Sequence, residues 1–356
     1  VAQHLRPFRL PLTPEALASR LLPWYGRNRR PLPWRIDPTP YRVWLSEIML
    51  QQTTVAAARD YYGRFLDRFS TIQSLAAAPE DEVLALWAGL GYYSRARNLL
   101  RTAQLIATEH GGEFPSDPQQ LQRLPGIGRY TAGAVASVAF GKRAAVLDGN
   151  IRRVFSRLLA FDRQWDSQST ERLWLTLEKL IHSLPQSTPI SDFNQSLMEL
   201  GALVCTPRSP TCRSCPLAAD CAAFRAGMQE QLPRPAVRPA VCDHQLVLVL
   251  VAHDESFLMC RNESGLLPKS LWGFPDVPGK PDEDLFDRFV TRHGLELVLG
   301  RVVGTVRHQI TNNRLHLHVM TARLERPAPE AFRWIDPGDG SFARSSYVKK
   351  VLRLLG

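Results

Sequence analysis

The sequence predicts a multidomain chain: a mostly α-helical region over residues 1–230, a linker at 231–240, and an α/β domain over 241–356. Three observations carry this. The 356 residues exceed what one hydrophobic core serves, at roughly 100–200 residues per domain. Apolar residues recur at helical spacing up to residue 230 and with strand-like patterning beyond 241. Between them, Gln231-Leu-Pro-Arg-Pro-Ala-Val-Arg-Pro239 has the composition of a stiff, extended connector. With 44% apolar and 22% charged residues the balance is globular, which excludes wholesale disorder and collagen-like order. The longest apolar run, Leu246–Ala252, falls far short of the ~18 residues of a bilayer span. Arg6, Pro7, Arg9 and Pro11 interrupt any secretory apolar segment. The expectation is a soluble protein of a reducing or nucleoid-facing compartment, with no membrane partner.

Taken in order, Thr13-Pro14-Glu15 opens a helix with a cap, a first-turn proline and an acid at the positive dipole end. Helical spacing then predicts helices within 43–69, 82–90, 96–108, 121–124, 130–140, 151–159, 171–184 and 192–204. Gly89, Gly91, Gly111-Gly112, Pro125-Gly126, Gly141 and Asp148-Gly149 punctuate them. In the second domain, Leu246–Val251 and Leu315–Thr321 read as strands and Leu285–His293 as a helix.

Charge separates the two regions. The chain carries 44 Lys+Arg against 34 Asp+Glu, and 29 of the bases and 20 of the acids lie in residues 1–240. Only six bases are lysines. An arginine-dominated surplus suits bidentate phosphate recognition, hence nucleic acid, although arginine on plain solvated faces would give the same count.

Four of six cysteines cluster as Cys205-x6-Cys212-x2-Cys215-x5-Cys221, enough thiolates for a closed metal site. Zinc and an iron–sulfur cluster both accept that set. Arg208 and Arg213, carried in this short loop, would be presented rigidly to phosphate. Cys242 and Cys260 read as ordinary buried thiols.

Leu124-Pro125-Gly126-Ile127-Gly128-Arg129-Tyr130 joins two helical runs through a Gly-x-Gly turn, where Gly126 and Gly128 let backbone amides approach a phosphate. Twenty residues on, Asp148 precedes a helix, and an N-cap is its plain reading.

This hairpin (about 121–141), the aspartate and the cysteine spacing together resemble the helix-hairpin-helix superfamily of endonuclease III and the adenine glycosylases. Leu32-Pro33-Trp34-Arg35, Trp44–Thr53 and Gly89–Arg95 are similar to its adenine-glycosylase branch. The resemblance implies a base-excision enzyme that hydrolyses the N-glycosidic bond of adenine opposite 8-oxoguanine or guanine in duplex DNA, working as a monomer. It also implies a [4Fe-4S] cluster on Cys205, Cys212, Cys215 and Cys221. Glu47 becomes the acid that protonates adenine, Asp148 the ionised partner of an oxocarbenium-like sugar, and Asn150 and Tyr130 orienting groups. Trp34, Arg35 and Gln195 would line the adenine pocket and Thr53 order it, with Gln52 and Tyr92 wedging the opened stack and Arg95 beside them. Where lyase-competent relatives carry a lysine, this chain has Tyr130, so a monofunctional enzyme is expected. A bifunctional glycosylase/lyase and a catalytically silent iron–sulfur DNA-binding protein are the alternatives.

Leu271-Trp-Gly-Phe-Pro275 with Gly279 resembles the start of a Nudix-type domain, but Glu283–His293 lacks the glutamate pattern that holds Mg²⁺. That domain is expected to read the lesion through Arg307–Asn313, with His308 and Thr311 as contacts. The family's Phe-Ser-His is replaced there by Ile310-Thr311-Asn312.

Overall fold

A computed structural model describes residues 5–235, 240–262, 265–267 and 271–355. The helices are α1 (Pro14–Asn28), α2 (Pro33–Ile36), α3 (Pro40–Leu50), α4 (Val55–Arg68), α5 (Ile72–Ala76), α6 (Glu80–Leu86), α7 (Ser94–Glu109) and α8 (Pro118–Leu121). They continue with α9 (Arg129–Phe140), α10 (Gly149–Leu158), α11 (Ser167–Ser183), α12 (Ile190–Leu203) and α13 (Ala222–Arg225), followed late in the chain by α14 (Leu285–His293) and α15 (Ser346–Leu352). The strands are β1 (Cys242–Leu250), β2 (Ala252–His253), β3 (Ser256–Arg261), β4 (Trp272–Gly273), β5 (Asp276–Pro278), β6 (Leu297–Ile310), β7 (Asn313–Leu324) and β8 (Phe332–Ile335). The mostly helical region and the α/β region are thus both present. No described helix is long and apolar enough to cross a membrane.

The chain forms two compact units, one of residues 1–76 with 101–237, the other of 77–100 with 238–356. The single break expected at 231–240 is therefore supplemented by a second, because α6 and its flanks group with the α/β region. Within that unit Asp81 and Arg261 form an ion pair at 2.8 Å. The start of the expected linker is not free either. Leu232 is buried and its carbonyl accepts from Arg157 Nε at 2.9 Å, while Arg234 pairs with Asp162. Residues 236–239 of the expected linker lie outside the described residues.

In the helical unit the caps explain the boundaries. Thr13 Oγ1 accepts from Ala16 N, Thr39 caps α3 and Thr54 caps α4. The run predicted over 43–69 is cut at Gln51–Thr54, where Gln52 adopts φ 56° and the next helix needs its own cap. The apolar faces of α1, α10, α11 and α12 build one core around Leu17, Leu21, Phe155, Leu177, Phe193 and Leu197.

The second unit has a four-stranded sheet ordered β5-β1-β7-β6 and a smaller one of β2-β3-β4 with β8 on β3. Alternation assigns the faces of the larger sheet. Leu246, Leu248, Leu315, Leu317 and Val306 pack toward α15, and Val247, Val249 and Met320 pack toward α14. Cys260 is buried as expected, whereas Cys242 is exposed at the start of β1, where the strand has not yet entered the core.

Candidate active site

The helical unit contains a cavity of ≈ 580 Å³ lined, among others, by Trp34, Arg35, Glu47, Gln52, Thr53, Tyr130, Asp148, Asn150 and Gln195. Residues up to 161 positions apart in sequence thus converge on a volume suited to a base. Glu47 projects from the apolar stretch of α3, between Trp44, Leu45 and Ile48, all nearly inaccessible. Burial pushes its carboxyl up to about 7, and neighbouring Asp148 raises it further, while the Tyr130 hydroxyl and Arg35 favour the ionised form. Its Oε2 is buried without a hydrogen-bond partner. A carboxyl with one oxygen unpartnered in an apolar wall is the arrangement that keeps a proton near neutrality. The Tyr130 hydroxyl donates to Met198 Sδ at 3.5 Å, and burial raises its pKa well above the usual tyrosine range.

Asp148 occupies a different environment. It is the N-cap of α10, its Oδ1 accepting from Ile151 N at 2.7 Å and its Oδ2 from Asn150 Nδ2 at 2.7 Å. Burial raises its pKa, but those donors and the Arg153 charge oppose the rise. The capping role and a place in the cavity therefore coexist. Asn150 is fixed in turn: its Oδ1 accepts from Arg153 Nη2 at 2.8 Å, and Gly201 of α12 lies so close that an added Cβ would come within 2.6 Å of Asn150 Cβ. Arg153 extends the chain of contacts to the carbonyls of Gly201 and Cys205, both at 2.7 Å.

Two lining residues were missed in the sequence. Glu199 is wholly buried on α12 and accepts from Arg30 N, Nε and Nη2 (2.8–2.9 Å) and from Arg35 Nη1 and Nη2 (3.2 and 2.9 Å). Burial alone would raise its pKa, but Arg30 and Arg35 together hold it down to about 2. Arg35 thus lines the pocket wall with its guanidinium held in place by a buried anion. The available signal was a glutamate on the otherwise buried face of α12, shared with Asn194 and Gln195. Trp34 meets Tyr62 edge to face at 5.4 Å, and the Gln195 amide donates to Ser191 Oγ at 3.0 Å.

The remaining predicted residues lie elsewhere. In the turn before α9, Gly126 has φ 74°, a conformation that favours glycine, while Gly128 is the N-cap at φ −84° with open space at its Cβ position. The helix preceding that turn is a single turn, α8, because Leu124 and Pro125 lead straight into it. Tyr92, 45% exposed at φ 49°, stands at a loop tip of the second unit. Arg95, expected beside it, is 8% exposed, and its Nη2 donates to the carbonyls of Leu90 and Gly91, so it stiffens the Tyr92 loop from inside. His308 is buried on the α15 side of β6, with Ser346 Oγ 3.4 Å from its Nε2, because strand alternation turns it away from the exposed side chains of Arg307 and Gln309. Thr311 is exposed at the β6–β7 turn, φ 53°, its hydroxyl donating to Ile310 O.

The four clustered cysteines line one small apolar cavity with Val154, Leu158, Leu200 and Leu217. Arg157, fully buried, donates to Cys205 Sγ at 3.2 Å and Thr206 O at 2.7 Å, and Leu217 N approaches Cys215 Sγ at 3.4 Å. Burial and the neighbouring sulfurs push the Cys215 thiol up to about 12. Arg208 is exposed on the intervening loop.

A hairpin at a helix N-terminus beside a pocket with two unlike carboxylates defines a base-excision enzyme of the helix-hairpin-helix class. A model of the "HhH-GPD superfamily base excision DNA repair protein" family matches residues 45–180. A thermostable thymine-DNA glycosylase of known structure aligns with a TM-score of 0.52 at 30% identity, over 59% of this chain and 95% of that one. An endonuclease III–DNA complex aligns with a TM-score of 0.50 at 27% identity, over 60% and 95%. Among curated relatives, the adenine DNA glycosylase of Homo sapiens is 34% identical over 95% of this chain and 74% of its own length. That of Buchnera aphidicola (strain Bp) is 41% identical over 84% and 83%. The chain belongs to the adenine DNA glycosylase family. It is a DNA N-glycosylase, and DNA is its partner.

Proposed function

We propose that the protein removes adenine mispaired opposite 8-oxoguanine or guanine by hydrolysis, without lyase activity. The observation that carries this reading is the pairing, in one cavity, of a carboxyl raised to about 7 with a carboxylate held by amide donors. Glu47 delivers its proton to the extruded adenine, drawing electrons from the glycosidic bond, and afterwards accepts a proton from water. Asp148 faces the developing positive charge on the sugar. Its donors Ile151 and Asn150 favour the ionised form, so the two acids divide the work. Arg35 and Gln195 contact the adenine, and Trp34 closes the wall. Gln52 and Tyr92, both at left-handed loop tips, fill the opened stack. Gly126, Gly128 and Arg208 approach phosphates.

Among the described residues no lysine lines the cavity, which supports a monofunctional enzyme: an amine nucleophile is needed for a Schiff base. Borohydride trapping on abasic DNA through a site lysine would overturn this part.

The four cysteines fit a [4Fe-4S] cluster. Their four thiols share one small apolar cavity, and four thiolates are the donor set such a cluster takes. Bound there, the cluster supplies the cross-links that hold the 205–221 loop; Arg157 and Leu217 N–H groups direct charge-stabilising hydrogen bonds at the sulfurs.

The α/β unit, Nudix-like in sequence, reads the lesion through Thr311 at the hairpin tip. The protein acts as a monomer in the bacterial cytoplasm. Base release from duplexes with adenine opposite 8-oxoguanine, guanine or thymine tests the assignment, with Glu47→Gln and Asp148→Asn beside the parent protein. Release opposite 8-oxoguanine and guanine, none opposite thymine and none from either variant is expected; equal release from all three duplexes refutes it.

A further inference from the structure

One half of the large sheet's α14-facing side is uncovered. At one end Val247, Val249 and Met320 lie under α14. At the other, the same face presents Asp243 and Gln245 from β1, Arg314, His316 and His318 from β7, and Thr305, Arg307 and Gln309 from β6. Register pairs Asp243 with Arg314 with Gln309, and Gln245 with His316 with Arg307. All of these are exposed or half-buried. They form an ordered polar layer: His316 Nε2 lies 2.9 Å from Asp243 Oδ1, and Arg314 reaches the same oxygen at 3.5 Å. His318 bridges Gln245 at 2.7 Å and Thr305 at 3.2 Å. The Arg307 guanidinium has no partner among the described residues, and Lys280 lies near enough to bias His318 electrostatically.

An antiparallel pair with one wet face is ordinary; the charge on this one is not. Residues 241–356 hold 15 bases and 14 acids, yet this half-face carries Arg307 and Arg314 against Asp243 alone, with two histidines between them. It also runs continuously from the Thr311 turn, the tip proposed above to meet the lesion.

We propose that this half-face is a binding surface for the phosphate backbone of the DNA duplex, with Arg307 and Arg314 as its principal cations and Lys280, His316 and His318 beside them. It spans about 14 Å along β6, four residues at ~3.4 Å each. Asp243 orients Arg314 and His316 and keeps the patch from binding anions more strongly. The inference rests on DNA being the partner, not on adenine being excised.

The test is equilibrium binding of the full-length protein to undamaged and lesion-bearing duplexes across a salt series. Arg307→Gln and Arg314→Gln should each weaken binding about threefold to tenfold on both duplexes, and each should flatten the log–log salt dependence by about one ion. Asp243→Asn should tighten binding, a gain that misfolding cannot imitate. Arg326→Gln, a charge change on a 75%-exposed side chain paired with Glu296, is the control and should leave the slope unchanged. The proposal fails if the slope is unaltered in both arginine variants, if only the lesion-bearing duplex responds, or if Arg326→Gln has an equal effect. Because binding to undamaged DNA is read without excision, absence of adenine release would refute the proposed function and leave this result standing.

Discussion

Replacing Glu47 by glutamine should stabilise the protein at neutral and higher pH while abolishing adenine release. Glutamine keeps the shape of the protonated acid and cannot ionise. In the unfolded chain the carboxyl titrates at its ordinary value of 4.5; in the fold, burial moves it to about 7. Between those values the native state binds the extra proton, so the wild type loses stability as pH rises through the window, and the loss is complete above 7. The gap corresponds to roughly 3 kcal/mol, which for a unit of this size is a melting difference of roughly 6–12 °C. Thermal unfolding of wild type and Glu47→Gln at several pH values between 4 and 8.5 reads this directly. The two should melt together at pH 4 and separate progressively above 5, with the variant the more stable. A constant offset across the series, or a variant less stable at pH 8, would refute the assignment of Glu47 as an acid held protonated by burial.

Other outcomes follow from the same geometry. Asp148→Ala should lose adenine release and about 1 kcal/mol of stability with the N-cap, whereas Asp148→Asn, still able to cap, should lose release with little change in melting. Glu199→Ala leaves Arg30 and Arg35 facing each other without their anion; a loss of about 3–5 kcal/mol is expected in denaturant unfolding. Gln52→Gly relieves a left-handed backbone at a non-glycine residue and should stabilise by about 1 kcal/mol, yet slow single-turnover excision because the wedge side chain is gone. Arg153→Gln breaks the contacts joining Asn150 to the Cys205 carbonyl, so excision rate and retention of the cluster's visible absorbance should fall together.

Local signals were readable from the chain because they are local. Thr13 and Asp148 cap as their neighbours require, and Leu285–His293 forms its helix with Gly294 at φ 63° closing it. The acids and the aromatic wall were legible through motif resemblance. What escaped depends on partners distant in sequence. Nothing near Glu199 announces Arg30, 169 residues away, as its counter-ion. Nor does spacing tell that residues 77–100 join the later unit. His308 and Arg307 are adjacent letters on opposite faces of β6, and only register with β7 tells which one meets solvent.

Arg157 deserves a last consequence. One guanidinium, wholly inside the protein, touches the first cysteine of the cluster loop, two carbonyls of that loop, and the carbonyl of Leu232 where the chain leaves the helical unit. One donor group thus ties the 205–207 stretch to the 232 stretch, so loosening either leaves carbonyls of the other without their partner. Limited proteolysis reads this: Arg157→Gln should open a cut near residue 232 that the parent protein resists.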